Sequence, residues 1–159
     1  MLTARTAGPW TGLGLMLWSC ASLASPLKPF TTDGCSAFPD GVPGNEAKWI
    51  ECCIRHDFAY WQGGTFDERA AADGELRQCV AELGESILSE VMRLGVVAGG
   101  SPYYPTWYRW GYGWPYLRGY QALSTEERGQ IVGKLEVLQN LIGDLIDETR
   151  AGPESKLVN

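Results

Sequence analysis

Three stretches of the chain carry a helical rhythm of apolar positions, and together they predict a mainly α fold. The first runs from Glu46 to Trp61. Trp49, Cys52, Cys53, His56 and Tyr60 recur there at spacings of three and four, the period of one helix face. Asn45 is a suitable N-cap, and Gly63-Gly64 a suitable stop. The second helix is predicted over residues 66–94. Thr65 and Glu68 have the spacing of a capping box, and Phe66, Ala70, Leu76, Val80, Leu83, Ile87, Val91 and Leu94 form its apolar stripe. Asp73 falls on that same stripe. A carboxylate on a buried face costs several kcal/mol unless it is partnered, so its position asks for a partner. The last helix is predicted over 125–150, opened by Ser124 and Glu127, with Ile131, Leu135, Leu138, Ile142 and Leu145 on one stripe and a stop near Gly152-Pro153.

Between the helices the pattern is irregular. Residues 26–44 carry Pro26, Pro29, Gly34, Pro39, Gly41, Pro43 and Gly44 and read as a loop. Residues 101–120 hold nine Trp and Tyr residues, from Tyr103 to Tyr120, punctuated by Gly and Pro. Two readings suit them: packing under the last helix, or docking on a lipid surface, where Trp and Tyr prefer the interface.

The N-terminus follows another logic. Arg5 precedes an uncharged stretch from Thr6 to Leu27, most apolar from Leu13 to Ala24 and ending in small residues. That layout predicts a cleavable secretory signal over residues 1–24. The alternative is a membrane anchor through residues 6–27, although its apolar part is short for about 20 spanning residues. Leu17-Trp18-Ser19-Cys20 matches a lipoprotein signal poorly. The expected organisation is signal 1–24, one domain over 25–151 and a disordered tail 152–159. A net charge of −6 speaks against nucleic acid as a partner. Without Cys20, the exported chain keeps Cys35, Cys52, Cys53 and Cys79, an even number that suggests two disulfides.

Packing the first two helices antiparallel about the turn at Gly63–Thr65 places residues opposite one another when their numbers have a constant sum. His56 then faces Asp73 and Tyr60 faces Arg69 in one register, with Cys52 opposite Cys79 nearly in the same one. Cys35 is left for Cys53. A carboxylate accepting from one imidazole nitrogen fixes the tautomer and leaves the other nitrogen to take a proton from water. Asp57 lies about 100° further round the helix, towards the Pro/Gly loop with Asp33, Asp40 and several carbonyls. Such an all-oxygen set suits a hard cation like Ca²⁺, and a base beside a Lewis acid is a hydrolase arrangement.

At these residues the sequence resembles a known family. Cys52-Cys53-Ile54-Arg55-His56-Asp57-Phe58-Ala59-Tyr60 is similar to the Cys-Cys-x-x-His-Asp-x-x-Tyr signature of the secreted phospholipase A2 superfamily, closer to its short bacterial-like members. Asp33-Gly34-Cys35-Ser36 resembles the family's calcium loop, and Asp73 with Cys79 its Asp-x5-Cys. The match covers about residues 33–79. The resemblance implies calcium-dependent hydrolysis of the sn-2 ester of glycerophospholipids at a membrane or micelle surface, by a secreted or periplasmic enzyme. It implies His56 as base, Asp73 to orient it, Tyr60 bonded to Asp73, and Ca²⁺ held by Asp57, Asp33 and Gly34. Its disulfide pairing is Cys35–Cys53 and Cys52–Cys79. The sequence departs from the family in three places. Ser36-Ala37-Phe38-Pro39-Asp40-Gly41 replaces the glycine-rich part of the loop, Ala59 stands where a cysteine is usual, and nothing beyond Leu94 matches. The other readings are a non-catalytic binding or toxin-like module on the same scaffold, and an envelope interaction protein using 101–120 as its contact surface.

Overall fold

The computed structural model describes residues 26–152; the expected signal and, apart from Gly152, the expected tail lie outside them. The described chain is mainly helical, with α1 over Ile50–Gln62, α2 over Phe66–Glu82, α3 over Ser86–Gly99 and α4 over Thr125–Ala151. Among the described residues no helix is long and apolar enough to cross a membrane.

The first helix starts later than its periodicity suggests. Asn45 does not cap it, because its backbone is already paired with that of Val42 in both directions. Glu46 turns back to accept from the Gly44 amide. Helix begins only after Trp49, whose backbone N–H donates to the Asp40 carbonyl and whose indole donates to the Pro39 carbonyl at 2.7 Å. Trp49 therefore anchors the loop to the root of α1.

The helix expected over 66–94 is two helices. The Thr65–Glu68 capping box forms as its spacing requires, but α2 ends at Glu82. Gly84 takes φ +90°, a left-handed conformation that only glycine adopts without strain. The chain turns there, and Lys48 pairs with Glu85 at 2.8 Å across the corner. The bend breaks the predicted stripe. Leu76 and Val80 are buried, whereas Phe66, Leu83, Val91 and Leu94 are exposed and Ile87 is 86 % exposed. In α3 the inward face is instead Ser89 and Met92.

Two disulfides bind these elements, Cys35–Cys53 and Cys52–Cys79, the pairing expected from the register. They sit in a core with Trp49, Leu76, Val80 and Met92, where burying Leu76 or Val80 stabilises by about 1.5–3 kcal/mol each. A second core joins Leu27, Trp61, Trp114 and Ile131, and a third Tyr60, Ala72 and Trp110.

The aromatic segment supplies part of both latter cores, so packing explains its inward half. Trp110 donates its indole N–H to the Gly64 carbonyl and Trp114 to that of Gln62. These two bonds clamp the α1–α2 turn. Buried Arg109 donates to the carbonyls of Trp110, Gly111 and Trp114, holding its own loop together. Trp107, at 75 %, and Tyr103, Tyr104 and Tyr116 remain exposed.

The last helix closes the core only with its first half. Ser124 and Glu127 form the expected capping box, Ile131 is buried and Leu135 packs beside it. Further along the predicted stripe, Ile142 and Leu145 are exposed.

Candidate functional site

His56 and Asp73 reach each other because α1 and α2 run antiparallel and are bolted together one helical turn away by Cys52–Cys79. His56 Nε2 lies 3.0 Å from Asp73 Oδ1, with both side chains buried. An ionised carboxylate only accepts, so Nε2 carries the hydrogen and Nδ1 the lone pair. Tyr60 donates its hydroxyl to the same Oδ1 at 2.7 Å, and its ring lies 4.2 Å from the imidazole. Burial, and then the Asp73 charge, push the Tyr60 phenol well above its usual range, so it stays a neutral donor. The anomalous aspartate on the apolar stripe is thus partnered twice.

Beside this group opens a cavity with a largely apolar wall that includes Phe38, Leu76, Met92, Gly95 and Val96. His56 and Asp57 form part of its polar lining. A second cavity adjoins it, sharing Ser36, Asp57 and Tyr108, and adds Asp33, Thr31 and Thr32. The site is therefore one polar corner at the side of an apolar recess.

The loop that approaches Asp57 is held from within. Gly34 takes φ +76°, and a Cβ there would lie 2.4 Å from Asp40 Oδ1. That same oxygen accepts from the Cys35 amide at 2.8 Å. Asp40 thus shapes the loop. Ser36 donates to Asp33 Oδ1 at 2.8 Å. Thr32 donates to Asp57 Oδ2 at 2.6 Å and accepts from the Gly34 amide at 3.1 Å. Burial raises the Asp57 carboxyl to about 6, with the neighbouring Asp33 charge adding to the effect, while Thr32 and His56 oppose it. A carboxylate desolvated beside a second carboxylate gains from a cation between them.

Among the described residues no cluster of three or more His, Cys, Asp or Glu forms a ready metal site. What the loop and α1 bring to the second cavity is two carboxylates, Asp33 and Asp57. Those are hard oxygen donors, whose chemistry fits Ca²⁺ better than a nitrogen- or sulfur-seeking metal.

Comparison with known proteins found no matching family model, no matching curated protein and no matching solved structure.

Every expected site residue lies in this region: His56, Tyr60 and Asp73 in one hydrogen-bonded group, Asp33 and Asp57 on one cavity, and Gly34 at the loop's tight point. Two further polar residues stand outside the expected site set. Thr32, which ties Asp57 to the loop, carried no signal beyond its place next to Asp33. Arg69 did carry one, because it faces Tyr60 in the register and lies four residues before Asp73, on the same side of α2.

Proposed function

We propose that the chain is a calcium-dependent hydrolase of the phospholipase A2 type, cleaving the sn-2 ester of glycerophospholipids at a membrane or micelle surface. One observation carries the reading: a carboxylate-oriented imidazole at the wall of an apolar cavity, with two carboxylates on the adjoining one. An acyl chain suits the apolar wall, and a polar head suits the acidic corner once a cation balances it.

In this reading His56 Nδ1 takes a proton from water as the water oxygen attacks the ester carbon. Asp73 holds the ring's tautomer and stabilises the imidazolium. Collapse of the tetrahedral intermediate breaks the bond to the glycerol oxygen, and the imidazolium returns its proton to that leaving oxygen. Asp57, Asp33 and the Gly34 carbonyl would hold Ca²⁺. When bound it would supply positive charge for the lipid phosphate and the developing oxyanion.

The test is fatty-acid release from mixed phospholipid vesicles by the oxidised protein, with Ca²⁺ and with chelator, beside His56→Gln. Release that needs Ca²⁺ and disappears in the variant supports the reading. A folded protein that releases nothing across several head groups excludes it. One observation favours a second reading, a non-catalytic module on this scaffold: Ser36 and Thr32 hydrogen-bond the two carboxylates a metal would use. Ca²⁺ binding without turnover would mark that case.

A further inference from the structure

Behind the histidine pair the fold buries a cation. Arg69, in the first turn of α2, is 6 % exposed. Its Nε donates to the Tyr60 hydroxyl at 3.1 Å and its Nη1 to the Tyr120 hydroxyl at 2.6 Å. Its Nη2 donates to the carbonyls of Val96 and Val97, both at 2.8 Å. Nε also lies 3.8 Å from Asp73 Oδ2. One planar group thus touches α1, the end of α3 and the aromatic segment, while its own helix carries Asp73. Burial works against its charge, but the bonds to Tyr60 and Tyr120 outweigh that, so it stays a cation.

We propose that Arg69 is a positioning residue that couples the cavity wall to the aspartate of the His56–Asp73 pair, acting through Tyr60; this rests on the hydrolase reading above. The Tyr60 oxygen accepts from Arg69, so its own hydrogen must go elsewhere. Two acceptors lie near it, Asp73 Oδ1 at 2.7 Å and the Val96 carbonyl at 3.4 Å. Arg69 already donates to that carbonyl, and so does the Gly100 amide at 2.8 Å. With both lone pairs of the Val96 oxygen engaged, the Tyr60 hydrogen is directed to Asp73. Oδ1 then holds two donors, Tyr60 and His56, and the carboxylate has one favoured orientation. The other end of the same guanidinium grips the Val96 and Val97 carbonyls in the last turn of α3, the helix end that favours a cation. Val96 in that turn lines the apolar cavity. The wall that would touch an acyl chain and the carboxylate that aims the base therefore share one clamp.

Lysine keeps the charge but not the planar fork. Arg69→Lys holds fewer of the four bonds, and Arg69→Met holds none. The experiment uses the full oxidised chain with Ca²⁺ and phosphatidylcholine–phosphatidylglycerol vesicles, restricted to variants with both disulfides and a cooperative melt. Arg69→Met should lower kcat about 10–100-fold with KM changed less than about threefold, the size seen for lost orienting partners. Arg69→Lys should recover part of that loss. In a Tyr60→Phe background, either Arg69 substitution should cost less than about threefold more, because the route is already cut. If Arg69→Met does not fold, Arg69→Lys carries the cycle alone. Costs that multiply independently in the two backgrounds, or a kcat per folded molecule within twofold of wild type, would overturn the proposal.

A second readout needs no turnover. In the ¹⁵N-labelled protein the Arg69 Nε–H resonance should be displaced and slow to exchange with solvent, and Tyr60→Phe should move it and speed its exchange. If wild type releases no fatty acid yet this coupling is present, the hydrolase reading falls and the clamp stands. If Tyr60→Phe leaves the Arg69 resonance unchanged, the clamp falls whatever the activity.

Discussion

Gly100→Ala isolates how tightly Tyr60 is held. Gly100 follows α3 with φ −87°, a conformation any residue adopts, so the substitution adds no backbone strain. The space is another matter. A Cβ would lie 2.4 Å from the Tyr60 hydroxyl oxygen, 2.6 Å from its Cε1 and 2.7 Å from the Val96 carbonyl oxygen. The tyrosine has nowhere to retreat, being 2 % exposed, edge-on to Trp110 and bonded to Asp73. Overpacking of this kind costs about 1–3 kcal/mol, and a displaced Tyr60–Asp73 bond about 1–3 more. A net loss of about 2–6 kcal/mol should lower the melting temperature by about 8–24 °C, at about 4 °C per kcal/mol for a domain of this size. Circular dichroism melts at pH 7 measure it. The control is Gly74→Ala in α2, where an added methyl meets nothing within 4 Å and should stabilise by about 0.5–1 kcal/mol through helix propensity. A Gly100→Ala protein melting within 2 °C of wild type would show that Tyr60 yields freely, and the description of a locked hydroxyl would be wrong.

The Glu127 carboxyl loses hydration on burial but is held below its usual range by Arg118 and by the Ser124 amide. Its contribution is present above its unfolded value near 4.5 and lost as pH falls through the lower folded one. Glu127→Gln should therefore lose about 1 kcal/mol at pH 7 and progressively less as pH falls below 4.5, read from urea midpoints at each pH. Replacing Cys35 and Cys53 together by serine should destabilise by about 3 kcal/mol, given a sequence separation of 18, and removing Cys52–Cys79, with 27, by a similar amount; calorimetry of the two double variants checks this. Ending the chain at Leu138 should shift the melt by less than about 2 °C, because Ile131 is the buried residue of α4 and lies before the cut. A larger fall would mean that the distal half of the helix supports the core.

The site was more legible than the fold that carries it. Helical spacing and one antiparallel register place His56, Tyr60 and Asp73 together, because both segments are continuous helix there and a Gly-Gly turn sets their phase. Gly84 defeats the same logic twenty residues later. Apolar spacing continues smoothly through it, from Leu83 to Ile87, and periodicity does not register a change of direction. The start of α1 was misjudged because Asn45 has the chemistry of a cap but spends its backbone on Val42. The exposed half of α4 carries the same Leu and Ile spacing as a buried helix, and spacing alone does not say whether another surface arrives to meet it. For Arg69 the register places the residue; its hydrogen-bond partners at Val96, Val97 and Tyr120 come from segments whose course the sequence leaves open.

Cys52 and Cys53 are neighbours, yet their bridges leave in different directions, one to Cys79 and one to Cys35. The chain from 35 to 79 is therefore two fused covalent rings sharing a single peptide link. His56, Asp57, Tyr60, Arg69 and Asp73 all lie within the larger ring, and Asp40 lies within the smaller. Heat or denaturant can melt the helices but cannot carry these groups far apart. Rebuilding the His56–Asp73–Tyr60 group after melting is then a short-range search inside a closed loop, and the slower step is the return of α3, the aromatic segment and α4, which no covalent bridge retains.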